Sequence, residues 1–143
     1  MGLLDNYTGI GMSPRPQWQH QFLLGDLLVN VASELPRSRF AVATEITLTD
    51  DWDDRAPDLV VFAAQTMQPL VLVEITTHRE LKRTLRKCEN LLPRFPAMEY
   101  WVFDYEAGQL WTLDADNRRW LLDDGTATSA YLHRPMIDYF YYQ

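Results

Sequence analysis

Two hydrophobic rhythms alternate along the chain. Phe22, Leu23, Leu27, Val31 and Leu35 recur at three- and four-residue steps, which predicts an amphipathic helix over 16–34 that Pro36 ends. From Phe40 to Leu48 the period falls to two, with Val42, Thr44, Ile46 and Leu48 on one face, and a strand is expected. Leu59–Ala64 and Leu70–Thr76 are nearly unbroken apolar runs joined by Gln65–Pro69, as in strands covered on both faces. Over Arg79–Leu92 the helical rhythm returns, with Leu81, Leu85, Cys88 and Leu92 as the apolar stripe and Pro93 and Pro96 beyond it. Tyr100–Tyr105 reads as another strand, and Leu110–Ala115 with Arg119–Leu122 as a closing C-terminal β-hairpin, its turns supplied by Gly108 and Asp116-Asn117. Residues 1–15 show no periodicity and read as a loose arm, and the aromatic tail from Ala130 to Gln143 follows neither rhythm.

Helix, three strands, helix, strand and hairpin imply an α/β fold, a mixed sheet with helices packed on it. The segment from Glu74 to Tyr105 is long enough for a crossover between parallel strands. With 143 residues, 47% of them hydrophobic and 23% charged, residues 16–143 suit one globular domain. The single cysteine, Cys88, leaves no internal disulfide and no cysteine-built zinc site. No basic start followed by an apolar run is present, nor an apolar run of membrane-spanning length, so a cytoplasmic protein with no membrane partner is expected. The net charge of −7 argues against a uniformly nucleic-acid-binding surface. The charge is uneven, however. Between His78 and Arg94 six basic residues (Arg79, Lys82, Arg83, Arg86, Lys87, Arg94) face two acidic ones (Glu80, Glu89), and five of the six fall along one side of the predicted helix.

The chemistry centres on two acids set in apolar strands. Asp58 opens Leu59–Ala64 and Glu74 ends Leu70–Val73. A buried carboxylate needs a partner, and two on neighbouring strands repel unless a cation lies between them. Hard divalent ions such as Mg²⁺ or Mn²⁺ take one or two carboxylates plus waters and substrate phosphate, which points to metal-dependent phosphodiester chemistry. The plainer roles are a turn cap for Asp58 and an ion pair with Arg79 or Lys82 for Glu74. Glu45, on the opposite side of its strand from Val42 and Thr44, is either a third carboxylate of the site or an exposed strand residue. His20 reads as a packing or helix-surface residue, and His78 as a helix-start residue at the rim of the site. No Ser/His/Asp constellation, glycine-rich phosphate loop or HExxH motif is present.

Pro57-Asp58 followed by Glu74-Ile75-Thr76 resembles the PD-(D/E)XK nuclease pattern, with Thr76 where that pattern has lysine. The surrounding pieces are Trp18-Gln19-His20-Gln21 with Leu24 and Leu28, Ala56–Val61, Val73–Ile75, Lys87 and Glu99–Asp104. Together they resemble the Uma family of restriction-endonuclease-like domains over roughly residues 18–115. The chain departs from that family in being shorter before Pro57 and in carrying Thr76-Thr77-His78 after the acid strand. The resemblance implies a restriction-endonuclease-like mixed sheet flanked by helices, with Asp58, Glu74 and the Ile75 backbone carbonyl as Mg²⁺ or Mn²⁺ ligands. Lys87, at the family's helix-lysine position, would replace the missing cation and complete a catalytic set of Asp58, Glu74 and Lys87. Lys82 is the second choice, and a solvated surface lysine the plain alternative.

The expected activity is metal-dependent endonuclease hydrolysis of DNA, with Arg79, Lys82, Arg83 and Arg86 contacting phosphates. The alternative is a catalytically inactive nuclease-fold module that binds nucleic acid or protein, favoured by the missing lysine and the acidic net charge. Nucleases that cut both strands often pair, so a homodimer is expected, with Tyr139-Phe140-Tyr141-Tyr142 as candidate interface or as core.

Overall fold

The computed structural model describes residues 17–49 and 56–141; the expected arm at 1–15, most of the acidic turn at 49–54, and Tyr142 lie outside the described residues. Helix α1 (Gln17–Glu34) is followed by strands β1 (Phe40–Thr44), β2 (Leu59–Ala63) and β3 (Pro69–Thr76). Helix α2 (Leu81–Leu91) precedes β4 (Glu99–Asp104), β5 (Gln109–Asp114) and β6 (Arg119–Leu122), and a 3₁₀ turn spans Met136–Phe140. The six strands form one sheet in chain order, antiparallel throughout except for β3 and β4, which run parallel because α2 carries the chain back between them. This is the expected α/β mixed sheet flanked by helices, with the C-terminal hairpin formed by β5 and β6.

Strand residues alternate between two cores. Val71, Val73 and Ile75 of β3, with Trp101 and Phe103 of β4, pack on the layer of α1 and the 3₁₀ turn. Leu72, Tyr100 and Val102 pack on the layer of α2 with Leu81, Cys88, Leu91 and Leu92. By the same alternation Glu74, Thr76 and Asp104 face α2, and these three polar side chains are buried there.

Local differences from the periodicity have clear causes. On α1 the buried stripe is Leu24, Leu27 and Val31, continued by Leu35 just past its end; Phe22 lies five residues from Leu27, so it turns outward, 66% exposed, and meets Trp18 edge-on. Strand β1 stops at Thr44 rather than Leu48, because Glu45 adopts φ 55°, a left-handed conformation that breaks the extended run. Helix α2 starts two residues late, at Leu81, and Lys87 leaves the exposed basic row of Lys82, Arg83 and Arg86 to lie half-buried against the sheet.

The aromatic tail is largely core. Tyr139 and Phe140 are fully buried, Phe140 stacks on Phe103, and Asn30 donates to the carbonyls of Tyr139 and Tyr141. Glu34 at the end of α1 clasps the Tyr139 hydroxyl, the His133 N–H and the Arg134 guanidinium. Of the four aromatics expected at a dimer face, Tyr141 is the described one left 47% exposed. Among the described residues no helix is long and apolar enough to cross a membrane.

Candidate active site

The β2–β3 register brings the two acids together. Leu59 pairs with Val73, so the next rung sets Asp58 opposite Glu74. Residues directly opposite share a face, with Cβ atoms about 4.5–5.5 Å apart. The pair is cross-tied: the Asp58 N–H donates to Glu74 Oε1 at 2.8 Å, and the Ile75 N–H donates to Asp58 Oδ2 at 2.7 Å. Two further groups arrive from opposite layers. Lys87 of α2 donates from Nζ to Glu74 Oε2 at 2.7 Å, and His20 of α1 places Nε2 3.1 Å from Asp58 Oδ1.

Burial pushes the Glu74 carboxyl up to about 7, the Asp58 charge adds to the push, and the Lys87 ammonium opposes it. The hydrogen bond from His20 to Asp58 raises the imidazole above its ordinary value, against the effect of burial. Cys88, beside Lys87 in sequence, is a buried thiol pushed well above its ordinary value by burial, as suits an inert core residue.

The structure thus brings Asp58, Glu74 and Lys87 into one cluster and adds His20, which its sequence position on a packed helix had hidden. An imidazole one turn from the start of α1 is unremarkable by periodicity; only the packing of α1 across the sheet reveals its partner. Thr76 is buried on the same face as Glu74, where its hydroxyl meets that of Thr84 on α2 at 3.0 Å. Glu45 is exposed just beyond β1, rather than mid-strand; its N–H bonds the Asp58 carbonyl, and its charge favours protonated His20. Arg79, Lys82, Arg83 and Arg86 are exposed around α2, Arg83 near Glu80 at 3.4 Å, a surface pair of small energetic weight. Glu74 pairs with Lys87 rather than with Arg79 or Lys82.

The donor set suits a hard divalent ion. Each of the four carboxylate oxygens of Asp58 and Glu74 has one partner, and an ionised carboxylate oxygen can accept a second. In a strand the C=O of a residue leaves the same edge as its N–H, so the Ile75 carbonyl lies on the Asp58 side. Among the described residues no three His, Cys, Asp or Glu side chains converge into a cage. Two carboxylates and a carbonyl fit Mg²⁺ or Mn²⁺, which keep waters and phosphate oxygens, better than Zn²⁺, which asks for three or four protein ligands.

No family model matches the chain, and no curated protein is similar to it at a significant level. Among solved structures, one that is similar is "a putative nuclease belonging to DUF820" from Anabaena variabilis. The likeness covers 89% of this chain and 83% of that one, with 16% sequence identity and a TM-score of 0.63. At that identity the shared property is the fold, an α/β mixed sheet flanked by helices.

Proposed function

We propose that the chain is a metal-dependent endonuclease that hydrolyses phosphodiester bonds in DNA, related to the Uma family. The observation that carries this reading is the Asp58–Glu74 rung with the Lys87 ammonium 2.7 Å from Glu74. Asp58, Glu74 and the Ile75 carbonyl would hold Mg²⁺ or Mn²⁺. When bound, the ion supplies a water of lowered pKa and neutralises charge on the scissile phosphate. Lys87 stands in for the lysine missing at Thr76: its ammonium, already beside Glu74, can donate to a phosphate oxygen as negative charge builds. His20 holds Asp58 in place from the α1 side. Arg79, Lys82, Arg83 and Arg86 provide phosphate contacts that position the strand without reading its sequence. The similar solved structure, itself described as "a putative nuclease", supports the reading at the level of fold.

One observation favours an inactive binding module instead: each carboxylate oxygen already has a partner within the protein. Calorimetric titration with Mn²⁺ or Mg²⁺ separates the two. The nuclease reading expects binding that Asp58→Asn and Glu74→Gln abolish, together with metal-dependent nicking of plasmid DNA. No binding at millimolar metal would leave the inactive module standing.

A further inference from the structure

Asp104, at the end of β4, is a fully buried carboxylate, 0% exposed. Its two oxygens have different tasks. Oδ1 accepts the N–H groups of Glu106 at 3.1 Å and Ala107 at 3.0 Å, which closes the turn into β5. Oδ2 lies 2.7 Å from Nδ1 of His78, whose side chain is 69% exposed. The turn is complete without the histidine. With Oδ2 as the acceptor, Nδ1–H is the donor and Nε2 is the nitrogen left to meet a ligand. The imidazole is thus anchored on a buried anion and presented at the surface.

Its place in the sheet is specific. Thr76 pairs with Asp104 in the parallel β3–β4 ladder, two residues beyond the pairing of Glu74 with Val102, and both rungs face α2. Two residues of strand advance by about 7 Å and one strand spacing adds about 4.8 Å sideways, so Asp104 and the His78 it holds stand beyond the acid rung on the β4 side, on the order of one or two nucleotide steps away. His78 is followed directly by exposed Arg79, and the His78 N–H is held by the Glu106 carboxylate at 3.0 Å.

We propose that His78, oriented by Asp104, binds a backbone phosphate of the DNA next to the one held at Asp58 and Glu74. The inference rests on the nuclease reading and gives it a strand direction, from the acid rung toward the C-terminal ends of β3 and β4. In its charged form the ring donates from both nitrogens, Nδ1–H to the buried carboxylate behind it and Nε2–H to the phosphate in front. Asp104 is a positioning residue here, acting through the histidine.

The test is fluorescence anisotropy of a short DNA duplex across a salt series, with Ca²⁺ in the buffer and the intact protein. In a buffer at about pH 5.5, below the ordinary imidazole range, His78→Gln is expected to weaken binding several-fold and to reduce the dependence of log K on log salt by about one. His78→Lys, which returns a positive charge, is expected to restore the slope. A merely structural histidine would not give that pattern. Because Gln and Lys can each donate to Asp104 in place of Nδ1–H, both variants should keep the wild-type melting temperature and metal affinity. If His78→Gln binds with wild-type affinity and slope, the inference is overturned while the nuclease reading stands. If the wild-type protein binds no DNA, both fall together, and the metal titration then decides separately whether Asp58 and Glu74 hold an ion.

Discussion

Glu34 and Glu74 are two glutamates in shielded sites, each touching a cation, and they are tuned in opposite directions. Burial raises Glu34, yet the Tyr139 hydroxyl, the His133 N–H and Arg134 together outweigh it and hold its carboxyl below the ordinary value. Glu74 has Lys87 and the Asp58 N–H, but deeper burial and the facing Asp58 charge win, and it rises to about 7. Three donors without an opposing acid make a strap that ties the C-terminal segment to α1. Two donors against an opposing acid leave a carboxylate pair still short of positive charge. Strained carboxylates of that kind are where a metal or substrate gains most by binding.

Activity gives the widest separation. Under the proposed function, Asp58→Asn and Glu74→Gln should each lower metal-dependent plasmid nicking by about 1,000-fold or more. Glu34→Gln should leave nicking near wild type while costing about 1–3 kcal/mol of stability through the buried donors left unpaired. A denaturant melt and a nicking assay on the same preparations check both, and a Glu74→Gln enzyme with undiminished nicking would remove the site.

Lys87→Ala comes next. It should reduce the nicking rate by about 100-fold with metal binding retained, the loss expected of one donor to developing charge. Retained nicking in that variant would leave the acids in place and dismiss the relocated lysine.

The pH dependence of stability is a smaller effect with a distinctive sign. Between 4.5 and about 7 the folded chain keeps a proton on Glu74 that the unfolded chain releases. Metal-free stability should therefore fall as pH rises through that window, by up to about 3 kcal/mol. His20, raised by Asp58, stabilises the fold below 6.5 and loses that contribution as pH rises through its elevated value, which adds to the decline. Glu34 works the other way: its contribution is present above its ordinary value and fades as pH falls through the lowered one. Thermal melts from about pH 4 to 8 should show Glu74→Gln flattening the neutral side and Glu34→Gln the acid side. A divalent ion should stabilise the wild type more at the upper end of that range than at the lower. A wild-type profile that rises from pH 5 to 7 without metal would contradict the account of Glu74.

The smallest expected change is His20→Gln, which should weaken Mn²⁺ binding by about 10-fold, as loss of a group that orients a ligand does. Calorimetry reads it directly.

What was legible in the sequence follows from the range of the forces involved. The acid pair could be read because period two and two apolar runs fix which residues can face each other across a hairpin. Lys87 entered through a resemblance rather than through spacing, since its charge alone placed it with Arg83 and Arg86 on the outer side of α2. His20 could not be found, because its partner lies across the sheet and no local pattern encodes that contact. The end of β1 was misplaced because the polar–apolar alternation continues past Glu45 while the backbone does not. The tail mixed aromatic and polar residues with no period, and a 3₁₀ turn of five residues has none to show.

The strand order has a bearing on how the acid rung is assembled. Asp58 and Glu74 belong to one hairpin, β2–β3, closed by a five-residue connection in which Met67 takes φ 58°. Pairing of this kind is sequence-local and tends to form early, before the longer crossover brings α2 and Lys87 into place. A nascent chain would then hold two facing negative charges with no ammonium beside them. Ambient divalent ions that bridge them at that stage would speed formation of the hairpin, so that refolding would accelerate with added Mg²⁺ even where equilibrium stability hardly moves.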